Sequence, residues 1–481
     1  MAHPADDSYK ILTESTASLP HPECTSYRVY KIRWIIVLLL AFLNGTNAYL
    51  WVSFAPIADH FVAYYQTEEL LFNWMQLVFP ITTIILGLPA SLLVDWFGIR
   101  FVIISSALAN FLCGLLRMLS SVNPSWLSPS VCFVLMFAGH VIASFAQPLC
   151  MFAPTKLALD WFPDNQRTLA NTIGSLGNAV GVLLGSAIAP VIVHSKWDIP
   201  RFNYISFGVV ALGLGLAFGF ARRNKPPSPP SAAAEAFDQI KMRETRVLKV
   251  KLKTFSLNVL NPLKSFQFWL LMSSFGSVLA YFTTLSTLFE QILCAKGYSN
   301  WYAGLCGSMM IAVGLVFSAC MALFVDRTGL LQESVKVFLM LSVLGASVMS
   351  ILLYFPNQHV PLVLAISWFG GFGFGLFSLA LELAAEITFP VPESITTGLL
   401  IIFSQLLSVV FVVFMQALAP VVKETAQFQP DYALANLIVC ILVTVIGLSQ
   451  LFGLNARYKR RELAVSTGGQ SGQILPVTLE G

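Results

Sequence analysis

Along the chain, long runs of apolar residues alternate with short polar joints, and the runs are too long for buried core helices. Twelve of them reach the roughly 20 residues that a helix needs to cross a bilayer. They lie at 34–58, 70–94, 101–121, 129–154, 168–193, 203–221, 266–294, 301–325, 334–354, 360–387, 395–420 and 432–454. A transmembrane barrel would instead show short segments alternating apolar and polar residue by residue. The pattern predicts an all-α membrane protein of twelve spans. Between the sixth and seventh runs the chain changes character, from "RRNKPPSPPSAAAEAFDQ" to "KMRETRVLKVKLK". This stretch reads as a flexible, Pro/Ser-rich linker whose basic second part suits a short surface helix. The expected organisation is a tail (1–33), a six-helix bundle (34–221), a linker (222–265), a second six-helix bundle (266–454) and a tail (455–481).

Composition sharpens this picture. Of 481 residues 56% are hydrophobic and 11% charged, whereas a soluble domain carries about 25% charged residues. The net charge is only +4, but the basic residues are unevenly placed. One side of the predicted membrane holds Lys10, Arg28, Lys31 and Arg33, about ten basic residues in the linker, and Arg457, Lys459, Arg460 and Arg461. The other side holds Lys196, Arg201, Lys296 and Lys423. Positive residues stay in the cytoplasm, so both tails and the linker are expected there. The first 27 residues are polar and lack the apolar core of a signal peptide, which makes a disordered tail the expectation. Most of the eight cysteines sit within apolar runs, where packing is their ordinary role. Cys294 and Cys306 flank one short loop, and either a disulfide or two buried thiols fits that spacing.

The halves echo each other. "LLVDWFGIR" follows the second span and "LFVDRTGLL" the eighth; "DWFPDNQRTLANTIGSLGN" follows the fourth and "EITFPVPESITTGLLIIFSQ" the tenth. Aligning Phe162-Pro163 with Phe389-Pro390 superimposes Asn178 on Gln405. Paired signals at matching positions imply two parallel six-span repeats, with a solute cavity between them near the midplane.

"VDWFGIR" and "VDRTG" resemble the loop motif that the major facilitator superfamily carries after spans 2 and 8. Within it, "NAYLW", "SFAQPLCMFAPTKLALDWFP", "STLFEQIL" and "ELAAEITFPVPESITTGLL" are similar to the feline leukaemia virus subgroup C receptor-related transporters, the solute carrier 49 family. The resemblance covers the twelve spans. It implies an alternating-access carrier, and family members are linked to choline, ethanolamine, haem and a vitamin.

Candidate gating residues cluster at the cytoplasmic ends of the spans. Asp95, Gly98 and Arg100 follow span 2, and Asp326, Arg327 and Gly329 follow span 8. Lys156 and Glu386, near the ends of spans 4 and 10, suit them as partners. Such pairs either form an inner gate that biases a two-state equilibrium or anchor the helices as topogenic loops. Charges within spans are costly and default to function. Arg117 and Glu290 lie near outer ends where snorkelling is expected, His140 reads as a structurally satisfied histidine, and Glu382 is expected to pair with Lys156. With no chain of acids and bases across the midplane, facilitated diffusion is the expectation.

Uncharged polar and aromatic residues carry the binding reading. Asn47 and Trp51 are one turn apart on span 1 and so share a face. Gln147 lies mid-span 4, Asn178 on span 5, Tyr281 and Phe282 on span 7, and Gln405 on span 11. A mid-membrane tryptophan is not explained by interfacial belts. The seven either line the cavity or glue helices together. Opposed rings with neutral amides suit an organic cation held by cation–π attraction. The resemblance implies that a tyrosine of span 7 faces Trp51; its position aligns here with Phe282 or Thr283, with Tyr281 adjacent, a departure from the family pattern. The expected partners are a small-molecule substrate and the bilayer. No nucleic-acid signature, catalytic constellation, cofactor or metal site is visible, so an enzyme is not expected. Asn44-Gly45-Thr46 fits a glycosylation pattern but lies inside span 1. The reading is a monomeric transporter of an organic cation or amine such as choline or ethanolamine, at the plasma membrane. The alternatives are a haem or vitamin carrier of the same fold, or a receptor or scaffold that transports nothing.

Overall fold

A computed structural model describes residues 29–121, 128–163, 166–228, 255–328, 330–355, 357–388, 391, 393–419, 421–424 and 427–455. Among them are twelve helices long and apolar enough to cross a membrane, as a bilayer that cannot hydrogen-bond the backbone demands. Spans 1–6 are Ile32–Val52, continued by a 3-10 turn (Ala55–Ile57) and Ala58–Tyr65, then Glu69–Phe97, Ile99–Leu119, Pro129–Trp161, Arg167–Ile192 and Ile199–Phe220. Spans 7–12 are Phe266–Cys294, Asn300–Thr328, Leu331–Leu352, His359–Thr388, Glu393–Leu418 and Ala433–Gly453. A feature the apolar pattern did not suggest is an antiparallel hairpin between the last two spans, β1 (Val421–Glu424) with β2 (Gln427–Pro430). The end of the bundle where span 6 finishes and span 7 begins is the linker end; the other is the far end.

Each half has its own apolar core. That of the second half gathers residues from Phe268 to Leu454 and takes in Leu77 of span 2. The first half has two, one toward the far end around Phe54, Phe61 and Phe72, and one toward the linker end around Leu40, Phe152 and Trp161. Spans 7 and 1 are the most enclosed helices, as their matching positions in the two repeats predict.

The polar interruption of span 1 has two structural uses. Gly45 meets span 5 backbone to backbone: a side chain on the facing Gly181 would stand 2.0 Å from the Gly45 carbonyl oxygen. The amides then tie helices together, as polar residues do in lipid. Asn44 donates to Gly174 O on span 5 (3.2 Å), and Asn47 donates to Asn110 Oδ1 on span 3 (2.8 Å) and Ala143 O on span 4 (2.9 Å). The helix stops at Val52 because Pro56 has no N–H for the Val52 carbonyl and its ring crowds that turn.

Arg117 finishes this break. It is fully buried, so the snorkelling expectation fails for it and equally for Glu290, which is buried within span 7. Its Nη1 donates to Ser53 Oγ (3.0 Å), its Nη2 to Leu50 O, and its guanidinium lies 4.5 Å from the centre of the Phe54 ring. A cation at a helix C-terminus offsets the negative end of the helix dipole and satisfies carbonyls left without partners. His140 Nε2 lies 2.8 Å from Arg117 Nη2 and His140 Nδ1 lies 3.2 Å from Met136 O. Nδ1–H therefore donates to the carbonyl and Nε2 accepts from Arg117. Cys294 and Cys306 are separate thiols, the former donating to Asn300 Oδ1 at 3.1 Å.

Candidate functional site

A central cavity of about 250 Å³ lies between the halves. Its rings are Trp51, Phe152, Phe275, Phe282, Phe369, Phe374 and Phe377, and its amides are Asn44, Gln147, Asn171, Asn178 and Gln405. Thr155, Ser175, Thr283 and Thr397 add hydroxyls, and no charged side chain is found among the described residues that line it. Spans 1, 4 and 5 face spans 7, 10 and 11 across it.

Trp51 is anchored by its indole N–H, which donates to Gln76 O on span 2 at 3.2 Å. With that hydrogen bond made, the indole N–H needs no partner within the cavity. On the other side Phe282 stands edge-on to Phe374, centres 5.2 Å apart and planes at 87°. Gln147 Oε1 accepts from Thr83 Oγ1 (3.4 Å), and Asn178 Nδ2 donates to Asn44 Oδ1 (3.3 Å). Gln405 is 7% exposed, and its Oε1 has no hydrogen-bond partner among the described residues.

Five of the seven expected binding residues line the cavity: Trp51, Gln147, Asn178, Phe282 and Gln405. Asn47 and Tyr281 do not. Asn47 is turned into the first half by its bonds to Asn110 and Ala143, and Tyr281 into the second half by donating to Asn436 Oδ1 at 2.8 Å. Both are helix glue, the other reading of an amide or hydroxyl in a span. Asn44, set aside with its glycosylation pattern, does line the cavity. Asn171, Ser175 and Asn178 form a stripe spaced i, i+4, i+7 on one face of span 5, a signal the sequence offered.

The cavity runs toward the linker end, where Thr155, Asn171 and Thr397 lie within two turns of their helix ends. At the far end the halves are joined. Asn73 and Gln291 exchange two hydrogen bonds, Tyr432 donates to Gln291 Oε1 (3.1 Å), and Asn300 donates to Asp59 Oδ1 (2.6 Å). Apart from Tyr432, which shares the second half with Gln291, this far-end junction joins residues more than 200 positions apart, and nothing in a single sequence marks them as partners.

At the linker end, Gly98 has φ +79°, a left-handed conformation that suits glycine at the turn between spans 2 and 3. The Arg100 side chain is exposed, while its backbone N–H donates to Asn224 Oδ1 (3.0 Å). Trp161 donates to Asn224 O (3.1 Å), so one residue beyond span 6 fastens this turn to span 4. Lys156 forms an ion pair with Asp160, four residues along the same helix, at 3.0 Å, and both are buried. That spacing suits a helical pair, a signal the sequence offered at Asp160. Glu386 is buried at the end of span 10, and its Oε2 has no hydrogen-bond partner among the described residues. The side chains of Asp95, Asp326 and Arg327, and the whole of Gly329, lie outside the described residues.

Two half-bundles enclosing a central cavity that is shut at one end define an alternating-access carrier. The sequence pattern of the Major Facilitator Superfamily matches residues 37–412. The chain is 33% identical over 443 residues to solute carrier family 49 member A3 of Danio rerio, covering 90% of this chain and 89% of that one. It is 26% identical over 400 residues to the human choline/ethanolamine transporter FLVCR2, covering 80% and 72%. A xylose transporter of E. coli in a partially occluded inward-open conformation superimposes with a TM-score of 0.63 at 12% identity, over 89% of this chain and 99% of that one; at that identity it speaks for the fold. The chain belongs to the major facilitator superfamily and, within it, to the solute carrier 49 family. It is a multi-pass membrane transporter.

Proposed function

We propose that this transporter is a facilitator of a small organic cation or amine of the choline or ethanolamine kind. The observation that carries the reading is the cavity itself, walled by rings, furnished with neutral amides and without a charged side chain among the described residues that line it. A quaternary or primary ammonium loses its hydration on entry, and ring faces offset that loss by cation–π attraction of roughly 2 kcal/mol when desolvated. Gln405 Oε1, buried without a partner among the described residues, suits a solute that donates a hydrogen bond. The name of the human relative agrees with this chemistry. A haem would require cations for its propionates, and none is found among the lining residues.

Transport proceeds by alternation of the two ends. The linker end is the cytoplasmic one, by the distribution of lysine and arginine, so the described conformation faces inward with its outer end closed. Asp95, Gly98 and Arg100 with Lys156, and Asp326, Arg327 and Gly329 with Glu386, form the inner gate that closes in the opposite state. The protein acts as a monomer at the plasma membrane. The test is uptake of radiolabelled choline into cells that display the protein, with ethanolamine as competitor. Uptake above that of control cells, reduced by ethanolamine, is expected. A surface-displayed protein that adds no uptake of either solute would overturn the reading.

A further inference from the structure

Gln76 of span 2 is 1% exposed, and neither its Nε2 nor its Oε1 has a hydrogen-bond partner among the described residues. Its backbone carbonyl anchors the Trp51 indole. One turn toward the far end, on the same helix face, Asn73 is bonded to Gln291 of span 7. Two turns toward the linker end, Thr83 is bonded to Gln147 of the cavity wall. The adjacent Leu77 belongs to the apolar core of the second half. Gln76 thus lies at the seam between the halves, beneath the far-end junction and beside the roof of the cavity.

A buried amide without partners is destabilising, and an apolar side chain of the same shape would suit the closed state better. The chemistry of the position therefore calls for a partner that the folded chain does not itself provide. We propose that Gln76 is a docking point for the hydroxyl group of the solute on its way from the far end, met before the ring of Trp51. In the described conformation the Asn73–Gln291 pair closes the approach; when the halves part at that end, the amide is uncovered. A primary amide both donates and accepts, as a hydroxyl does, so the two groups satisfy each other in a way that a bare alkylammonium cannot. This assignment rests on the proposed solute class.

The experiment compares choline with ethyltrimethylammonium, which keeps the cation and lacks the hydroxyl. Half-saturating external choline and the inhibitory concentration of ethyltrimethylammonium are measured for wild type, Gln76→Leu and Gln76→Met, each at matched surface level. Both variants keep the bulk of the side chain and remove its polar atoms, so one stands in if the other fails to reach the surface. The expected result is a rise of about three- to tenfold in half-saturating choline, the size of one lost hydrogen bond, with inhibition by ethyltrimethylammonium unchanged. Unchanged choline saturation in a displayed variant overturns the assignment, and so does an equal shift for both compounds, which would make Gln76 a packing residue. Wild-type protein that transports no choline overturns the solute class, and this inference with it. Wild-type transport with an unaltered Gln76 variant overturns this inference alone.

Discussion

Asn73 and Gln291 bind each other twice across the two halves of the transporter: Asn73 Nδ2 donates to Gln291 Oε1 at 3.0 Å, and Gln291 Nε2 donates to Asn73 Oδ1 at 2.7 Å. Both residues are buried, so little water competes for these bonds. The pair bridges the closed far end, so parting the halves there would have to break it, which makes it a weight on one side of a conformational equilibrium.

Removing that weight is expected to favour the state open at the far end. In Asn73→Ala or Gln291→Ala the lost bonds amount to about 1–3 kcal/mol, enough to change the populations several-fold or more. A cysteine placed near Gln76 should become more reactive toward an impermeant thiol reagent added outside. Reactivity equal to that in the wild-type background would show that the pair does not govern the closed end. The double variant should fall short of the sum of the single ones, because the two side chains share the same bonds.

The opposite weight is assigned to the inner gate. Asp95→Asn and Asp326→Asn are each expected to favour the inward-open state without loss of fold, through coupling of about 1–3 kcal/mol. Thiol labelling at the cytoplasmic mouth should rise. If labelling and transport are unchanged in both variants, the loop motif serves folding alone.

Arg117 and His140 are expected to matter for stability out of proportion to their distance from the cavity. His140→Ala removes the acceptor for a fully buried guanidinium donor, at a cost of about 1–3 kcal/mol. Arg117→Met instead removes the donor itself and leaves Leu50 O, Ser53 Oγ and His140 Nε2 without this partner at the break in span 1. Thermal unfolding in detergent should occur at lower temperature for both variants, and lowest for Arg117→Met. A variant that melts with the wild type would show that the guanidinium is dispensable to the break.

Topology can be examined separately. An epitope inserted in the linker between 222 and 265 is expected to be unreachable by antibody in intact cells and reachable after permeabilisation. Staining of intact cells would invert the orientation.

The fold was legible because a bilayer leaves the backbone few options: twelve apolar runs of spanning length could only be helices, and the duplicated loop motif gave their arrangement. The site was legible in part. Trp51 and Asn47 share a side of span 1 by spacing, yet Asn47 ends against Asn110 while Trp51 reaches the cavity. A central helix is surrounded by partners, so its polar positions need not all serve one surface. Tyr281 and Phe282 are neighbours in sequence and point about 100° apart on a helix, which is why only Phe282 lines the wall. The Asn73–Gln291 pair depends on two helices brought together by the whole fold, and local pattern carries no trace of it.

The central claim is that the ring of Trp51 holds the cationic group of the solute, and choline uptake by Trp51→Ala beside Trp51→Phe measures it most directly. A desolvated cation–π contact of roughly 2 kcal/mol predicts that Trp51→Ala weakens apparent choline affinity about tenfold or more. Trp51→Phe should keep part of the affinity because a ring face remains, and both variants should reach the surface at near-normal levels. Unchanged apparent affinity in Trp51→Ala would place the ring outside the binding site. Loss of Trp51→Ala from the membrane, with Trp51→Phe transporting normally, would make the ring a packing residue and contradict the account.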